Sequence, residues 1–371
     1  MKFTRLLSLT LTFLMLLSLA ACSSAGGGSG DGKTTRTITD HSGRTVEIPK
    51  DIERIVVCDI YPLPSVLAIF FDSADKIVGM ANQSMTAAEN SLLSELYPEI
   101  LEASTDFIDG TSVNVEELLK LEPDVVFYGG TQQIGEQLEN AGIPAVSVSA
   151  GKWDYDAIET LNNWILLLSE MFPQNDRYET VKAYSRSVYD RVRERVSGLS
   201  DAEREKIFFL FQYNDSTITT SGKHFFGQWW ADAIGAKNVG EEMETDNSTA
   251  VSMEQIYAWN PARILITNFN AVQPSDLINN TVGNYDWSPV DAVVNGKVNK
   301  MPLGMYRSYT CGVDTPVTLI WMAKTVYPDL FSDIDITAET KNYYREVFGI
   351  ELTDGQADRI FDPSSLASAF G

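Results

Sequence analysis

The sequence predicts two Rossmann-like α/β lobes joined by a helical connector, with a ligand cleft between the lobes. Short β-branched runs alternate with helical patterns before residue 150, and the same alternation resumes after residue 205. Between these regions lie about 45 residues with a helical pattern and no strand signal. Ligands of parallel sheets bind outside the carboxyl ends of the strands, so two such lobes facing each other are expected to enclose a cleft.

The first lobe is predicted over residues 36–155. It opens with a hairpin, Thr37–Ile48, whose centre Asp40–Arg44 is rich in turn-forming residues. The β-branched run Arg54–Ile60 indicates a buried strand. Pro62–Phe71 indicates a helix with prolines near its first turn, where a missing N–H is tolerated. The other elements predicted in this lobe are Lys76–Met80, Val115–Leu121, Asp124–Tyr128, Gln132–Asn140 and Pro144–Ser149.

The connector is predicted over residues 156–200. A helical pattern runs from Trp153 to Leu199 and is interrupted near Pro173. Within it, Tyr178–Val196 carries apolar or aromatic residues three or four positions apart, which places them on one face of a helix. No internal repeat follows, so the pattern favours one long packed helix over a coiled coil.

The second lobe is predicted over residues 201–371. Ser200–Glu203 has the pattern of a capping box, and Phe225–Ile234 indicates a helix closed by Gly235. The strands predicted here are Lys206–Tyr213, Ser216–Ser221, Arg263–Asn268 and Lys297–Pro302. The further helices are one capped by Ser252, Thr315–Val326, Ala338–Phe348 and a short one capped by Thr353.

Charge and cysteine content exclude some classes of protein. The formal net charge of −23 repels phosphate backbones, so we expect no nucleic-acid partner. Of the three cysteines, Cys58 lies in an apolar run and is interpreted as a buried core thiol. A disulfide with Cys311 would need Cα atoms within about 7 Å, which a sequence cannot show. Two thiols do not make a disulfide framework.

The N-terminus has the pattern of an export signal. Residues 1–21 combine two basic residues with the apolar stretch Leu6–Leu19, which is shorter than the ~20 residues of a membrane span. The small residues before Cys22 resemble the lipobox of bacterial lipoproteins, which implies a lipid on that cysteine. Residues 22–35 then read as a flexible Gly/Ser tether, so we expect anchoring to the extracytoplasmic face of the cell membrane.

Several stretches, in order, resemble one family of binding proteins. They are Thr39–Pro49 followed by Glu53–Val57, Asn114–Val126, Gly222–Val239, Ser252–Ile266 and Asn295–Val298. Over residues 36–330 the chain resembles the periplasmic-binding family of the ABC importers for iron-siderophores, haem and cobalamin. That family has two lobes joined by one rigid long helix, and Tyr178–Val196 is the candidate for this helix.

The resemblance carries functional expectations. It implies a monomeric protein without catalytic activity or intrinsic cofactor, which delivers its ligand to an ABC permease and its ATPase. The expected cargo is a ferric siderophore or related iron chelate, with haem, cobalamin or a nickel chelate as alternatives. A hydrolase is the alternative from another class. Its catalytic site would have to use His224, and the sequence has no Gly-x-Ser-x-Gly elbow.

Candidate ligand residues follow strands or begin helices on the side of the expected cleft. They are Tyr61, Tyr128, Lys223, His224, Tyr306, Arg307 and Tyr309. The resemblance implies that His224, with Tyr306 or Tyr309, completes the coordination sphere of a chelated Fe(III). Arg307 is suited to fork onto a carboxylate or catecholate. The alternatives are a surface or capping role for His224 and a solvated loop position for Arg307.

The resemblance also implies two docking points for the permease. Family members place an acidic residue of each lobe against arginines of the permease. The candidates are Glu99 or Glu102 in the first lobe and Asp232 or Glu241 in the second. These residues are expected to act in delivery and not in ligand binding.

Overall fold

A computed structural model describes residues 34–110 and 112–364. The predicted signal peptide, Cys22 and most of the tether lie outside the described residues. Within the described ranges, no helix is both long and apolar enough to cross a membrane.

The first lobe is built on a parallel four-stranded sheet. Its elements are β1 (Thr35–Thr39), β2 (Thr45–Pro49), β3 (Ile55–Val57), α1 (Leu63–Phe71), β4 (Ile77–Met80), α2 (Asn82–Glu89), α3 (Leu92–Leu96), β5 (Ile108–Asp109), β6 (Ser112–Val113), α4 (Val115–Lys120), β7 (Val125–Tyr128), α5 (Gln132–Asn140) and β8 (Ala145–Ser147). The sheet order is β4-β3-β7-β8, and all its pairings are parallel. β1 and β2 form the predicted hairpin.

Local chemistry accounts for these elements. β3 and β7 are buried along their whole length, as expected for parallel strands covered on both faces. Asn114 begins α4 because its side chain accepts hydrogen bonds from the main-chain N–H groups of Glu116 and Glu117. Gly142 follows α5 with a φ of +70°, a conformation that glycine adopts without steric cost.

The connector consists of α6 (Ala157–Met171) and α7 (Tyr178–Val196), separated by a short 3-10 turn at Pro173–Asn175. The buried residues of α7 recur at near-heptad spacing and lie on one face of the helix. They are Val181, Ser185, Val188, Val192 and Val196. α7 packs against α6 and against a helix of the second lobe, so it is a fixed part of the core.

The second lobe repeats the strand order of the first. Its elements are β9 (Lys206–Leu210), β10 (Gln212–Tyr213), β11 (Ile218–Ser221), α8 (Phe226–Ala233), β12 (Lys237–Asn238), β13 (Ser248–Ala250), α9 (Met253–Trp259), β14 (Arg263–Ile266), α10 (Pro274–Asn279), α11 (Asp291–Val294), β15 (Val298–Lys300), α12 (Thr315–Val326), α13 (Ile336–Tyr343) and α14 (Asp354–Phe361). The parallel sheet has the order β12-β9-β14-β15, and β10-β11-β13 form a small antiparallel sheet beside it.

The structure corrects details of this lobe. Lys206–Tyr213 is not one strand, because the chain leaves the parallel sheet at Phe211 and then pairs antiparallel with β11. Ser200–Glu203 does not start a helix. The Glu203 carboxylate accepts a hydrogen bond from Ser200 N at 2.8 Å, but the residues form only a turn before β9. Residues Tyr344–Phe348 continue α13 as a π-helical turn.

A single large apolar core includes buried residues of both lobes and of the connector. It contains Val57 and Phe127 from the first sheet, Val188 from α7, and Phe209 and Leu265 from the second sheet. Each lobe also has a smaller cluster of its own. The predicted fold class, two α/β lobes with a helical connector, is therefore confirmed.

Candidate functional site

The carboxyl edges of the two parallel sheets face each other, and their loops touch in several places. Leu92 N in the first lobe donates to Gly304 O in the second at 3.1 Å. Farther along the interface, the Tyr155 ring packs edge-on against Phe225, with ring centroids 5.2 Å apart. The cleft predicted from the sequence is thus bounded by loops that follow the strands.

Arg307 lies where the lobes meet. Its side chain is buried, with 1% of the residue exposed. Nη1 donates to Gln83 O of the first lobe at 3.1 Å and to the Tyr306 hydroxyl at 3.1 Å. The guanidinium carbon lies 5.4 Å from the ring centroid of Phe269 and 5.3 Å from that of Tyr306. Arg307 is not the solvated loop arginine of the alternative hypothesis, because aromatic rings and the first lobe surround it.

Two phenols from opposite lobes accompany this cation. Burial raises the pKa of Tyr306, whereas the Arg307 guanidinium lowers it and the nearby Tyr61 phenol raises it further. Burial, and then the charge of Asp59, raises the pKa of Tyr61. Both phenols therefore remain protonated at neutral pH and are available as hydrogen-bond donors.

Tyr309 occupies the aromatic core behind Arg307. It is fully buried, and its hydroxyl accepts a hydrogen bond from Gly227 N at 3.0 Å. Its ring packs against Phe211 and Phe269. Burial raises the pKa of this phenol, and the Ser221 hydroxyl and Gly227 N–H lower it. The hydrogen bond between Gly227 and Tyr309 therefore connects the loop after β15 to the first turn of α8.

A short loop after β14 presents Phe269 to Arg307. Lys300 is buried and donates from Nζ to the main-chain oxygens of Thr267, Asn270 and Val272, at 3.1, 2.7 and 2.8 Å. Burial lowers the pKa of Lys300 to about 7, and the charge of Asp276 opposes this shift. The loop is therefore held to β15 by three hydrogen bonds from one side chain.

Lys223 and His224 lie elsewhere on the interface. They line a groove of about 600 Å³ together with the aromatic side chains of Tyr155, Phe225 and Trp229. His224 is exposed, and its Nε2 lies 3.0 Å from Glu244 Oε2. Lys223 Nζ lies 2.6 Å from the same carboxylate. His224 is thus on a surface groove, whereas Tyr306 and Tyr309 are buried, and the metal-ligand role of this set stays a prediction.

Tyr128 ends β7 and is buried in the smaller apolar cluster of the first lobe, with 3% of the residue exposed. Its hydroxyl would lie 2.9 Å from a Cβ at Gly135, so a larger residue there would collide with the ring. The Arg44 guanidinium lies 5.4 Å from the ring centroid. The following Gly129 N donates to Asp59 Oδ1 at 2.6 Å, which fixes the turn after the strand.

The remaining candidate residues have defined surroundings. Cys58 and Cys311 are both free and buried, and burial raises the pKa of each thiol. Glu102 is exposed, whereas Glu99 Oε1 accepts a hydrogen bond from Ala74 N at 2.9 Å. On the second lobe, Asp232 and Glu241 are exposed. Their docking role stays a prediction.

The interface carries groups that can donate hydrogen bonds to oxygen. It combines a buried guanidinium with neutral phenols, which donate hydrogen bonds to oxygen. Within the described ranges, no group of three or more His, Cys, Asp or Glu residues is arranged to hold a metal ion. Sequence reasoning found Arg307, Tyr306 and Tyr61, but missed Phe269 and Gln83, whose positions at the carboxyl ends of β14 and β4 were the available signal.

Two lobes with facing carboxyl edges, a rigid helical connector and a buried cation between them define a two-lobed solute-binding protein. Residues 65–302 match the model of the family described as Periplasmic binding protein, so the chain belongs to that family. Its members are extracytoplasmic solute-binding proteins that work with an ABC permease and its ATPase, and they are transport proteins and not enzymes. The resemblance inferred from the sequence is thereby confirmed.

Known proteins with the same fold include transport proteins for different solutes. The chain is 29% identical to the molybdate-binding protein MolA of Haemophilus influenzae over 87% of its length and 94% of MolA. The structure of MolA bound to molybdate aligns with a TM-score of 0.71 at 25% identity, over 86% of this chain and 99% of MolA. A periplasmic solute-binding protein of Veillonella parvula aligns with a TM-score of 0.78 at 28% identity. The alignment covers 89% of this chain and 97% of that protein.

Proposed function

We propose that this chain captures a small tetrahedral oxyanion of the molybdate class and delivers it to an ABC permease. The observation that carries the proposal is the position of Arg307, a buried cation held between the two lobes. A guanidinium presents its N–H donors in a rigid fork that matches oxyanion oxygens. A cation here offsets the repulsion that a chain of net charge −23 exerts on an anion.

The protonated state of the two phenols favours an oxyanion over a bare metal ion as the ligand of this site. Because burial raises the pKa of Tyr306 and Tyr61, each keeps a proton to donate at neutral pH. A phenolate bound to Fe(III) would first have to lose that proton. A neutral phenol beside a guanidinium is suited to donate to an anionic oxygen. The similarity to MolA, whose structure contains molybdate, gives independent support.

Isothermal titration of the purified protein tests this proposal. Molybdate, tungstate, sulfate and phosphate are titrated at one ionic strength, since screening by salt alters every charged interaction. We expect molybdate or tungstate to bind most tightly and to raise the melting temperature as the concentration rises. A ferric catecholate, a ferric hydroxamate, haem and cobalamin form the second panel. Tight binding of a compound in the second panel, with no binding in the first, would reject the proposal that the ligand is an oxyanion.

A ferric chelate is the second candidate, and the groove at Lys223 and His224 favours it. Its volume of about 600 Å³ and its aromatic walls suit a chelate larger than an oxyanion. If His224 binds the metal, His224→Ala should weaken chelate binding by more than tenfold, and a tyrosinate ligand should give a visible charge-transfer band. The control is Glu244→Gln, which removes the negative charge beside His224 but keeps the imidazole.

We also propose that the chain is held at the membrane by lipid on Cys22. The apolar stretch and the small residues before this cysteine support the proposal. Metabolic labelling with a fatty-acid analogue should label the wild-type protein and not Cys22→Ala. Equal labelling of both proteins would reject the anchor.

A further inference from the structure

Asp314 lies directly before α12, at the position where an aspartate usually caps a helix. An N-cap side chain normally accepts a hydrogen bond from the second or third N–H group of its helix. Among the described residues, the Asp314 side chain makes no such bond with α12. Its Oδ2 instead accepts a hydrogen bond from Met305 N at 2.7 Å. The carboxylate is therefore directed towards the loop after β15, which carries Arg307.

This carboxylate is buried and closely surrounded. A Cβ at Gly304 would lie 2.3 Å from Asp314 Oδ1, so a larger residue could fit there only by displacing the carboxylate. The Tyr344 hydroxyl donates to the same oxygen. Burial raises the pKa of Asp314 to about 6, and the hydrogen bonds from Tyr344 and Met305 oppose that rise. At neutral pH the group is therefore mainly ionised and accepts hydrogen bonds from both partners.

The loop that Asp314 holds also makes contacts between the two lobes. Gly304 O accepts a hydrogen bond from Leu92 N of the first lobe at 3.1 Å. Three residues farther along the chain, Arg307 Nη1 donates to Gln83 O of the first lobe at 3.1 Å. A shift of the main chain near Gly304 would therefore move the guanidinium relative to the first lobe.

Tyr344 reaches the carboxylate from an uncommon backbone conformation. It begins the π-helical turn Tyr344–Phe348 after α13, and the residue is fully buried. Adjacent residues of an α-helix point about 100° apart. The Tyr343 hydroxyl nevertheless donates to Val313 O at 2.5 Å, next in the chain to the carboxylate that Tyr344 contacts. Turns of this kind are rare and often occur at functional sites, which favours a role for the contact beyond packing.

We propose that Asp314 is a positioning residue of the binding site, which holds the loop at Gly304 and Met305 so that Arg307 meets both the ligand and the first lobe. The inference rests on the proposed function and adds a residue that acts through Arg307 without contacting the ligand. Hydrogen-bond geometry carries this role, because one carboxylate joins Met305 N to the Tyr344 hydroxyl. A side chain of the same shape should therefore preserve most of it.

The test uses the full chain and measures molybdate affinity by isothermal titration, together with hydrogen exchange at residues 303–307. Asp314→Ala removes both acceptor oxygens and should weaken molybdate binding about tenfold or more. Asp314→Asn keeps an acceptor for Met305 N and can donate to the Tyr344 oxygen, so its affinity should stay within about threefold of the wild type. Tyr344→Phe removes one hydroxyl and should weaken binding by about three- to tenfold, with faster exchange at residues 303–307.

Tyr343→Phe is the matched control. It also removes one buried hydroxyl, from the adjacent residue, but this hydroxyl donates to a main-chain oxygen and not to the carboxylate. The variant should lose about as much stability as Tyr344→Phe, with molybdate affinity and exchange at residues 303–307 unchanged. Gly304→Ala tests the same contact from the loop, because the added Cβ would collide with Asp314. It should weaken molybdate binding as Asp314→Ala does.

The outcomes separate the inference from the proposed function. Wild-type affinity in Asp314→Ala would overturn the inference, and if that variant does not fold, Tyr344→Phe and its control decide. A loss in Asp314→Asn as large as in Asp314→Ala would also overturn it, since the carboxylate would then act through its charge. Equal losses of affinity in both tyrosine variants would mean that only stability had changed, and would reject it too.

Failure of the proposed function leaves a separate readout. If the wild type binds no oxyanion, the proposed function is rejected and hydrogen exchange alone decides the inference. Faster exchange at residues 303–307 in Tyr344→Phe, but not in Tyr343→Phe, would retain Asp314 as the residue that positions this loop. Unchanged exchange in both variants would reject it.

Discussion

Arg307 Nη1 of the second lobe donates to Gln83 O of the first lobe, with the two atoms 3.1 Å apart. This hydrogen bond joins the loop after β15 to the start of α2, across the interface between the sheets. It also fixes the guanidinium at a point where loops of both lobes are within reach. A charged group shared in this way stabilises the contact between the two lobes.

Arg307→Ala is expected to lower molybdate affinity by about 10- to 100-fold, since hydrogen bonds to charged groups contribute about 1.5–3 kcal/mol. Isothermal titration measures the change. Arg307→Lys keeps the charge but loses the planar fork of guanidinium N–H donors. Its affinity for molybdate should therefore lie between that of Arg307→Ala and that of the wild type. Equal affinity of wild type and Arg307→Ala would show that the anion binds elsewhere.

Many of the helices and the class of fold could be predicted from the sequence because local chemistry specifies them, whereas α2, α3, α10 and α11 were not predicted. Tyr178–Val196 is predicted from the spacing of its apolar residues and has those bounds in the structure. Thr353 caps the last helix as its pattern indicates, and its side chain accepts from Gln356 N. Each of these signals lies within a few residues of the feature that it predicts.

The site could be predicted only in part, because its geometry depends on contacts between distant segments. The sequence places Tyr306 and Tyr309 after the last strand, but does not show that Tyr309 reaches Gly227 N on α8. Neither does it show that Lys300 clamps the loop after β14, although three main-chain oxygens accept from it. The direction in which a loop side chain points is decided by packing between lobes, which leaves no local pattern.

The connector should unfold together with both lobes, since one apolar core includes residues of all three. Val188→Ala removes two buried methyl groups from α7 and should lower the free energy of unfolding by about 2 kcal/mol. Arg186 is exposed on the same helix, so Arg186→Ala is the control and should change it by less than about 0.5 kcal/mol. Calorimetry should show one transition. Two separate transitions in the wild type would contradict the shared core.

Reversal of the docking charges should separate delivery from binding. Glu102→Lys and Glu241→Lys change exposed residues and should reduce uptake in cells, while the purified variants bind ligand as the wild type does. Asp232→Lys tests the other candidate of the second lobe by uptake alone, because Asp232 also lines the groove at Lys223 and His224. Glu99→Lys should in addition destabilise the fold, because the Glu99 carboxylate accepts from Ala74 N. Normal uptake in all four variants would remove these candidates.

Lys300 should make stability depend on pH in a defined window. Burial lowers its pKa in the folded protein to about 7, from the ordinary lysine value of 10.5. Between these two values the unfolded chain binds the proton and the folded chain does not, so stability contributed by this group rises with pH. Below about pH 7 both states are protonated, and the dependence on this residue disappears.

Comparison with Lys300→Met isolates this contribution, because the other titrating groups are common to both proteins. The free energy of unfolding is measured by urea denaturation between pH 6 and 9.5. The free energy of unfolding of the wild type minus that of Lys300→Met should be constant below about pH 7. Above that pH the difference should increase, because only the wild type gains stability from this group. Met leaves the oxygens of Thr267, Asn270 and Val272 without this donor, which adds a loss that does not vary with pH. A difference that stays constant across the range would mean that the three carbonyl oxygens hold the Lys300 ammonium in its charged form.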